Sequence, residues 1–196
     1  MRFPSATRRN VYVRSQRAGQ RVMELLRRLF GRLRLRVNES KSAVDLVAHR
    51  KILGYSFSRA KDRQGRLRVA DKALTALKAR IRRITRRTGG RSMAQVIGEL
   101  REYLPGWRNY FSLSETPTPL VYLDKWIRHR LRSLYLKQWK RGPTAYRRLR
   151  SYGASHRAAA TVAANMRYRW KTARHALNAA LPNSHFDALG LPRLGA

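Results

Sequence analysis

Between Ala73 and Arg87 the apolar side chains Ala73, Leu74, Leu77, Ile81 and Ile84 recur at helical spacing, and Lys78, Arg80, Arg82, Arg83, Arg86 and Arg87 cover the remaining faces. Only an α-helix gathers residues so spaced onto one side. That side must find a core, and the other sides must meet water or anions. The same arrangement runs from Gln20 to Leu33, with Val22, Leu25, Leu26, Leu29 and Leu33 opposite Arg21, Arg27, Arg28 and Arg32. The whole chain shares this bias. Its 196 residues hold 45 Lys and Arg against 10 Asp and Glu, a formal net charge of +35, while 43% are hydrophobic. That is enough apolar surface for one domain with a core or two small ones. The charge favours nucleic acid, ribosomal subunits or anionic membranes as partners, and predicts that a polyanion adds to stability.

The patterns predict an α+β fold that is mostly α, with β structure confined to residues 1–70, a helical domain over 71–182 and an irregular tail over 183–196. Val11 to Arg14 reads as a short strand, and Leu35 and Val37 alternate with arginine as a half-buried strand would. Ile52 to Phe57 and Arg66 to Val69 flank Asp62-Arg63-Gln64-Gly65, as in a β-hairpin with a longer loop. The helix after Asp71 is expected to stop at Gly89-Gly90. Ser92 with Gln95 is a capping-box pattern for the next helix, which passes through Leu100 and Leu104, meets a kinking Pro105, and continues to Phe111. A linker at Thr116–Pro119 precedes a third helix through Leu120, Leu123, Ile127, Leu131 and Leu134, with an Asp124–Arg128 pair four residues apart. Gly142-Pro143 breaks it. A short basic helix around Tyr146–Arg150 ends near Gly153, and an Ala-rich helix runs from about Ala158 to Leu181.

Several chemistries are disfavoured. With no cysteine there are no disulfides and no thiolate zinc sites. No apolar run approaches the roughly 18 to 20 residues of a membrane span, and the basic N-terminus lacks a signal-peptide apolar region. A reducing interior compartment is expected, the bacterial cytoplasm or nucleoid-associated RNA. His49, His129, His156, His175 and His185 lack metal-ligand spacing. Glu99 and Glu102 share a helix face but should pair with arginine in so basic a field. No Gly-rich phosphate loop and no Ser-His-Asp set occurs. Trp107 and Trp126 are expected as core anchors. Trp139, between Gln138 and Lys140, is the better candidate for base stacking.

Two groups of motifs carry a resemblance. The first is Asn38-Glu39-Ser40-Lys41 followed by Leu53-Gly54-Tyr55. The second comprises Gly106-Trp107-x-Asn109-Tyr110-Phe111, Asp124-x-Trp126-Ile127-Arg128-x-Arg130-Leu131-Arg132, Lys137-Gln138-Trp139-Lys140 and the closing Phe186-Asp187-Ala188-Leu189-Gly190-Leu191-Pro192. In this order they resemble the end of the palm and the maturase-specific thumb, or X domain, of group II intron reverse transcriptases, over nearly the whole chain from about Asn10. Ser42 stands where that family often has Thr. The ending resembles members without an appended HNH endonuclease domain. The resemblance implies that Asn38, Lys41, Leu53, Gly54 and Tyr55 position nucleic acid. It also implies a phosphate-binding surface from Lys78, Arg82, Arg83, Arg86, Arg108, Arg128, Arg130, Arg132, Lys137 and Lys140, with Gln138 and Trp139. Contact of about ten cations with phosphates would give a log–log salt slope near −7 to −9. The implied partner is group II intron RNA, with a DNA target, an RNA/DNA hybrid or a complementing upstream reverse transcriptase fragment as further partners.

The intact family holds Mg2+ on paired aspartates in an aromatic-Ala-Asp-Asp turn just before a strand like Asn10–Val13. Here that place reads Pro4-Ser5-Ala6-Thr7-Arg8-Arg9, and no aspartate precedes Asp45. The expectation is no catalytic residue, no metal site and no cofactor in this chain. Codons for Val-Arg-Tyr-Ala-Asp (GTC CGC TAC GCG GAC), shifted by one base, read Ser-Ala-Thr-Arg, the sequence of Ser5 to Arg8. This predicts a shifted frame that returns near Asn10, which the genomic DNA would test. Three functions compete: an RNA-binding maturase remnant that assists splicing, a polymerase active with a separate N-terminal half, and the product of a degenerate intron gene. A truncated palm lacks its usual packing partners, so residues 1–70 are expected to be less ordered than 71–182.

Overall fold

The computed structural model describes residues 10–46, 51–57, 66–174 and 176–195. The fold is α+β and mostly α, as the patterns predict. The first helix, α1 (Gln16–Arg32), starts earlier than the apolar spacing suggests because Ser15 caps it, its hydroxyl accepting from Ala18 N at 3.2 Å. Gly19 is its one buried residue, and a Cβ there would lie 2.5 Å from Val44 Cγ1. Residues around Val44 thus cross the helix where it has no side chain.

Two expected strands do not form. Val11, Tyr12 and Val13 belong to no regular element and are exposed, and among the described residues no strand pairs with them. A segment without a ladder leaves its backbone to water. The Leu35–Val37 strand is likewise absent, because α1 ends in a left-handed cap. Arg34 takes φ 55°, and Leu35 N reaches back to Phe30 O at 2.8 Å. That closure turns the chain away from the helix, and Leu35 stays exposed.

The sheet has three strands in the order β1 (Lys51–Ile52), β2 (Tyr55–Phe57) and β3 (Leu67–Val69), all antiparallel. Ile52 to Phe57 is therefore not one strand. Leu53 and Gly54 form a tight turn with φ of 51° and 79°, the positive values a two-residue hairpin requires. The turn residues Asp62–Gly65 lie outside the described residues.

Helix α2 (Asp71–Ile84) buries Leu77, Ile81 and Ile84. It ends at Thr85, not at Gly89-Gly90. The Thr85 hydroxyl donates to Ile81 O at 2.7 Å and accepts from Arg130 Nε at 2.6 Å, so the cap is tied to α4. Helix α3 (Met93–Tyr110) opens with the expected capping box and carries Pro105 within it. Helix α4 (Thr118–Trp139) starts inside the expected linker, with Pro117 at its N-cap and Pro119 in its first turn. It is the central helix: Leu120, Leu123, Ile127, Leu131, Leu134, Leu136 and Trp139 are all buried. Helix α5 (Gly142–Ser151) begins at Gly142-Pro143, which starts a helix as well as ending one.

The long Ala-rich helix is broken into α6 (His156–Ala164), a 3-10 turn (Met166–Tyr168), α7 (Arg169–Arg174) and α8 (Ala176–Ala180). Asn165 causes the break. Its amide donates to Thr161 O and its own carbonyl accepts from Thr172 Oγ1, both at 2.8 Å. The turn buries Met166 and lets α7 pack on α4. The tail is not irregular either. Helix α9 (Asn183–Ala188) buries Phe186, and Leu191 and Leu194 join the same core. Asp124 holds the end, accepting from Leu194 N and Gly195 N at 2.9 Å. Fully burying one such leucine contributes about 1.5–3 kcal/mol, so the tail belongs to the folded unit.

Candidate nucleic-acid interface

Cations converge where α2 ends against α4. The Trp126 ring is flanked by two guanidiniums, with Arg82 5.6 Å and Arg130 5.2 Å from its centroid. Arg130 is held by Thr85, through Oγ1 and also its carbonyl at 3.5 Å. Arg87 reaches the same place, Nη1 donating to Ser133 Oγ at 3.4 Å. Burial lowers the Arg130 pKa, and the charges of Arg82 and Arg87 lower it further. Among the described residues no carboxylate lies within ion-pair distance of Arg82, Arg87 or Arg130. Positive groups fixed together without a counter-ion favour an anion, and planar guanidiniums match phosphate geometry.

The neighbouring side of the fold is neutralised. Glu99 pairs with Arg80 at 3.2 Å and with Arg91, as expected of an acid in this field. Lys78, Arg83 and Arg86 are exposed on α2 or just past its end, extending the unpaired basic surface. Lys137 and Lys140 are exposed at the far end of α4, and Arg108 on α3 donates to Arg193 O at 3.4 Å.

Several expected contact residues turn inward. Arg128 is 2% exposed and Arg132 3%. Four residues apart, they share the face of α4 that the tail covers. Arg128 Nη2 donates to Asp187 Oδ1 at 2.6 Å, while Nη1 lies 3.7 Å from Asp124 Oδ1. Arg132 donates to Leu181 O at 2.8 Å and Asn183 Oδ1 at 2.9 Å, with Phe186 against its guanidinium. Burial, then the Arg128 charge, pushes the Arg132 pKa down to about 10. Neither reaches an external phosphate. Trp139 is 8% exposed and stacks on Tyr135 at 5.2 Å, and Gln138 donates to Arg91 O at 3.0 Å. Trp139 is thus mainly a core residue.

The hairpin residues also pack against protein. Tyr55 is buried, its hydroxyl donating to Tyr110 O at 2.7 Å, while Tyr110 returns a bond to Leu53 O at 3.2 Å. A Cβ on Gly54 would lie 3.1 Å from Phe111. Leu53 alone stands clear at the tip, 76% exposed. Asn38 closes its own turn, Oδ1 accepting from Ser40 Oγ at 2.7 Å and Lys41 N at 3.2 Å, and that turn presents exposed Lys41.

Sequence reasoning left Thr85, Arg87 and Trp126 out of the surface. The signal was present: Arg130 lies one helical turn after Trp126, and Arg87 continues the α2 basic row. Among the described residues no three His, Cys, Asp or Glu side chains are grouped to hold a metal ion. Nor is any described helix long and apolar enough to cross a membrane.

No curated protein matches the chain. Residues 74–153, from the first turn of α2 to the end of α5, match the family described as the group II intron, maturase-specific domain. The span includes Arg82, Arg87, Trp126 and Arg130, and over these residues the chain is similar to the group II intron maturase-specific domain.

Proposed function

We propose that this chain binds structured group II intron RNA through the basic face around Trp126 and assists splicing, with no polymerase chemistry assigned to its own residues. The observation that carries the reading is the Arg82–Trp126–Arg130 stack with Arg87 beside it, uncompensated by any described carboxylate and set inside the matched domain. A guanidinium already stacked on a ring has lost much of its rotamer freedom, so less entropy is lost when it meets phosphate. The ion-paired side at Glu99 gives the molecule a direction: RNA meets the α2–α4 edge. This reading places its action where intron RNA is made, in the bacterial cytoplasm or nucleoid. Gel-shift titration with a group II intron RNA, against a scrambled structured RNA as competitor, tests it. Preference for the intron supports the reading. Equal binding to both leaves only non-specific electrostatics and rejects it.

A second reading is favoured by α1. Leu25 and Leu29 on α1, and Leu33 just past its end, are exposed among Arg21, Arg27, Arg28 and Arg32. Such a face suits docking against a separately encoded reverse transcriptase half that supplies the catalytic carboxylates. Co-purification with a palm-and-fingers fragment, followed by primer extension on RNA, tests it. An associated pair that does not extend the primer rejects it.

A further inference from the structure

A groove of about 750 Å³ opens between α3, α4 and α5, and neither Trp126 nor the arginines around it line it. Its inner wall is aromatic: Trp139 stacks on Tyr135, and Tyr152 stands 6.5 Å from Trp139 and 6.2 Å from Tyr135, centroid to centroid. Tyr152 is half exposed and faces the opening. Polar atoms lie deeper. Tyr135 and Gln138 line the groove: the Tyr135 hydroxyl is 3.2 Å from His185 Nε2, and the Gln138 amide nitrogen donates to Arg91 O at 3.0 Å. Two exposed arginines stand at the rim. Arg101 is fixed by bonds to Leu189 O at 2.6 Å and Gly190 O at 3.2 Å, and Arg148 projects from α5. Gly190 makes the first of these possible: with φ 76° it leaves bare the space where a Cβ would lie 2.5 Å from Arg101 Nη2.

We propose that this groove takes a single unpaired RNA nucleotide, its base stacked on Tyr152 against the Trp139 wall and its phosphate on Arg148 and Arg101. Four features agree on that occupant. The walls are flat and aromatic, which suits a π-face. A hydrogen-bonding floor suits a base edge. The rim is cationic, which suits a phosphate and gives an uncharged aromatic ligand or protein side chain no advantage. The volume lies within the roughly 300–1,000 Å³ of small-ligand sites. Bulged and looped bases are the parts of folded RNA that can be splayed out in this way. The groove would therefore read secondary structure, while the Arg82–Trp126–Arg130 face binds backbone.

The inference rests on the reading that the chain binds RNA, and the test separates the two. The full chain is titrated with two RNA hairpins of equal charge, one uninterrupted and one with a single bulged 2-aminopurine. The bulged hairpin is expected to bind about tenfold tighter, with its fluorescence quenched by stacking. Tyr152→Ala and, separately, Arg148→Ala remove that preference and leave the uninterrupted hairpin bound as before, while Tyr152→Phe retains it. Both residues are exposed, and a urea midpoint for each variant checks that its folding is preserved. Equal binding of the two hairpins by the wild type overturns the proposal, as does a preference that survives Tyr152→Ala or a variant that weakens both hairpins alike. In each of these cases the general RNA-binding reading still stands. Binding to neither hairpin overturns both.

Discussion

Arg128 Nη2 lies 2.6 Å from Asp187 Oδ1, joining the middle of the central helix to the C-terminal segment across 59 residues of sequence. Arg128 is buried, and its Nε has no hydrogen-bond partner. Its charge is compensated by Asp187 and, more loosely, by Asp124. Asp187 has a second partner in Arg193, and Asp124 is satisfied by backbone amides of the tail. The two sides of the pair are therefore unequal. Asp187→Ala strands a buried cation and is expected to cost about 3 kcal/mol. Arg128→Met leaves carboxylates that keep other partners, and is expected to cost less. Urea unfolding at neutral pH checks the order through the midpoint at unchanged slope.

Two titrations act on the same segment. The bond from Arg193, and then Arg128, hold the Asp187 carboxyl down at about 2. A depressed acid stabilises the fold at pH values above its ordinary pKa near 3.9, and that contribution is lost as pH falls from there through about 2. His185 is depressed as well, by burial first and then by the Arg132 charge. Its unfolded form binds protons more readily, so stability declines as pH drops through about 6.5 toward the lowered folded value. A urea midpoint followed from pH 8 to pH 2 should fall in two stages. His185→Gln should remove the upper one and spare the lower.

Much of the helical half is legible in the sequence. The α2 stripe, the Ser92–Gln95 box and the leucine row of α4 each depend on neighbours a few residues away, and local spacing describes them fully. The failures involve distant partners. Nothing near Arg128 or Arg132 shows that residues 181–187 will fold over them, so two buried cations look like surface arginines. Thr85, the C-cap of α2, is bonded by Arg130, 45 residues later. Strands at 11–14 and 35–37 have the right alternation, but alternation does not provide a ladder. The Trp126 face was half legible for the same reason: Arg130 is a turn away, whereas Arg82 and Arg87 come from another helix.

Gly54 couples the hairpin to α3. Its φ of 79° is a backbone setting that an L side chain adopts with strain, and an added Cβ would press on Phe111 at 3.1 Å. Gly54→Ala is expected to cost about 1–2 kcal/mol from the backbone alone. Because Phe111 packs on both Tyr55 and Trp107, the loss should spread to the β2–β3 ladder and the end of α3. Hydrogen exchange should quicken at Tyr55, Phe57 and Val69 while the α4 core stays protected. Equal acceleration in α4 would mean that the hairpin is not a separate docking unit.

The Trp126 face gives the sharpest solution measurement. Each cation neutralising a phosphate contributes about 0.7–0.9 to the slope of log affinity against log salt. Alanine at Arg82, Arg87 and Arg130 together should reduce that slope by about 2–3 and weaken intron RNA binding at every salt concentration. The matching change at buried Arg128 and Arg132 should alter stability and leave the slope of the folded fraction unchanged. Lysine at position 130 tests geometry as distinct from charge. Lysine keeps the cation but loses the planar fork that bonds Thr85 and stacks on Trp126, so it should restore the slope without restoring full affinity. A triple variant with an unaltered slope would place the RNA contacts elsewhere, the exposed Lys137–Lys140 end of α4 being the next surface to probe.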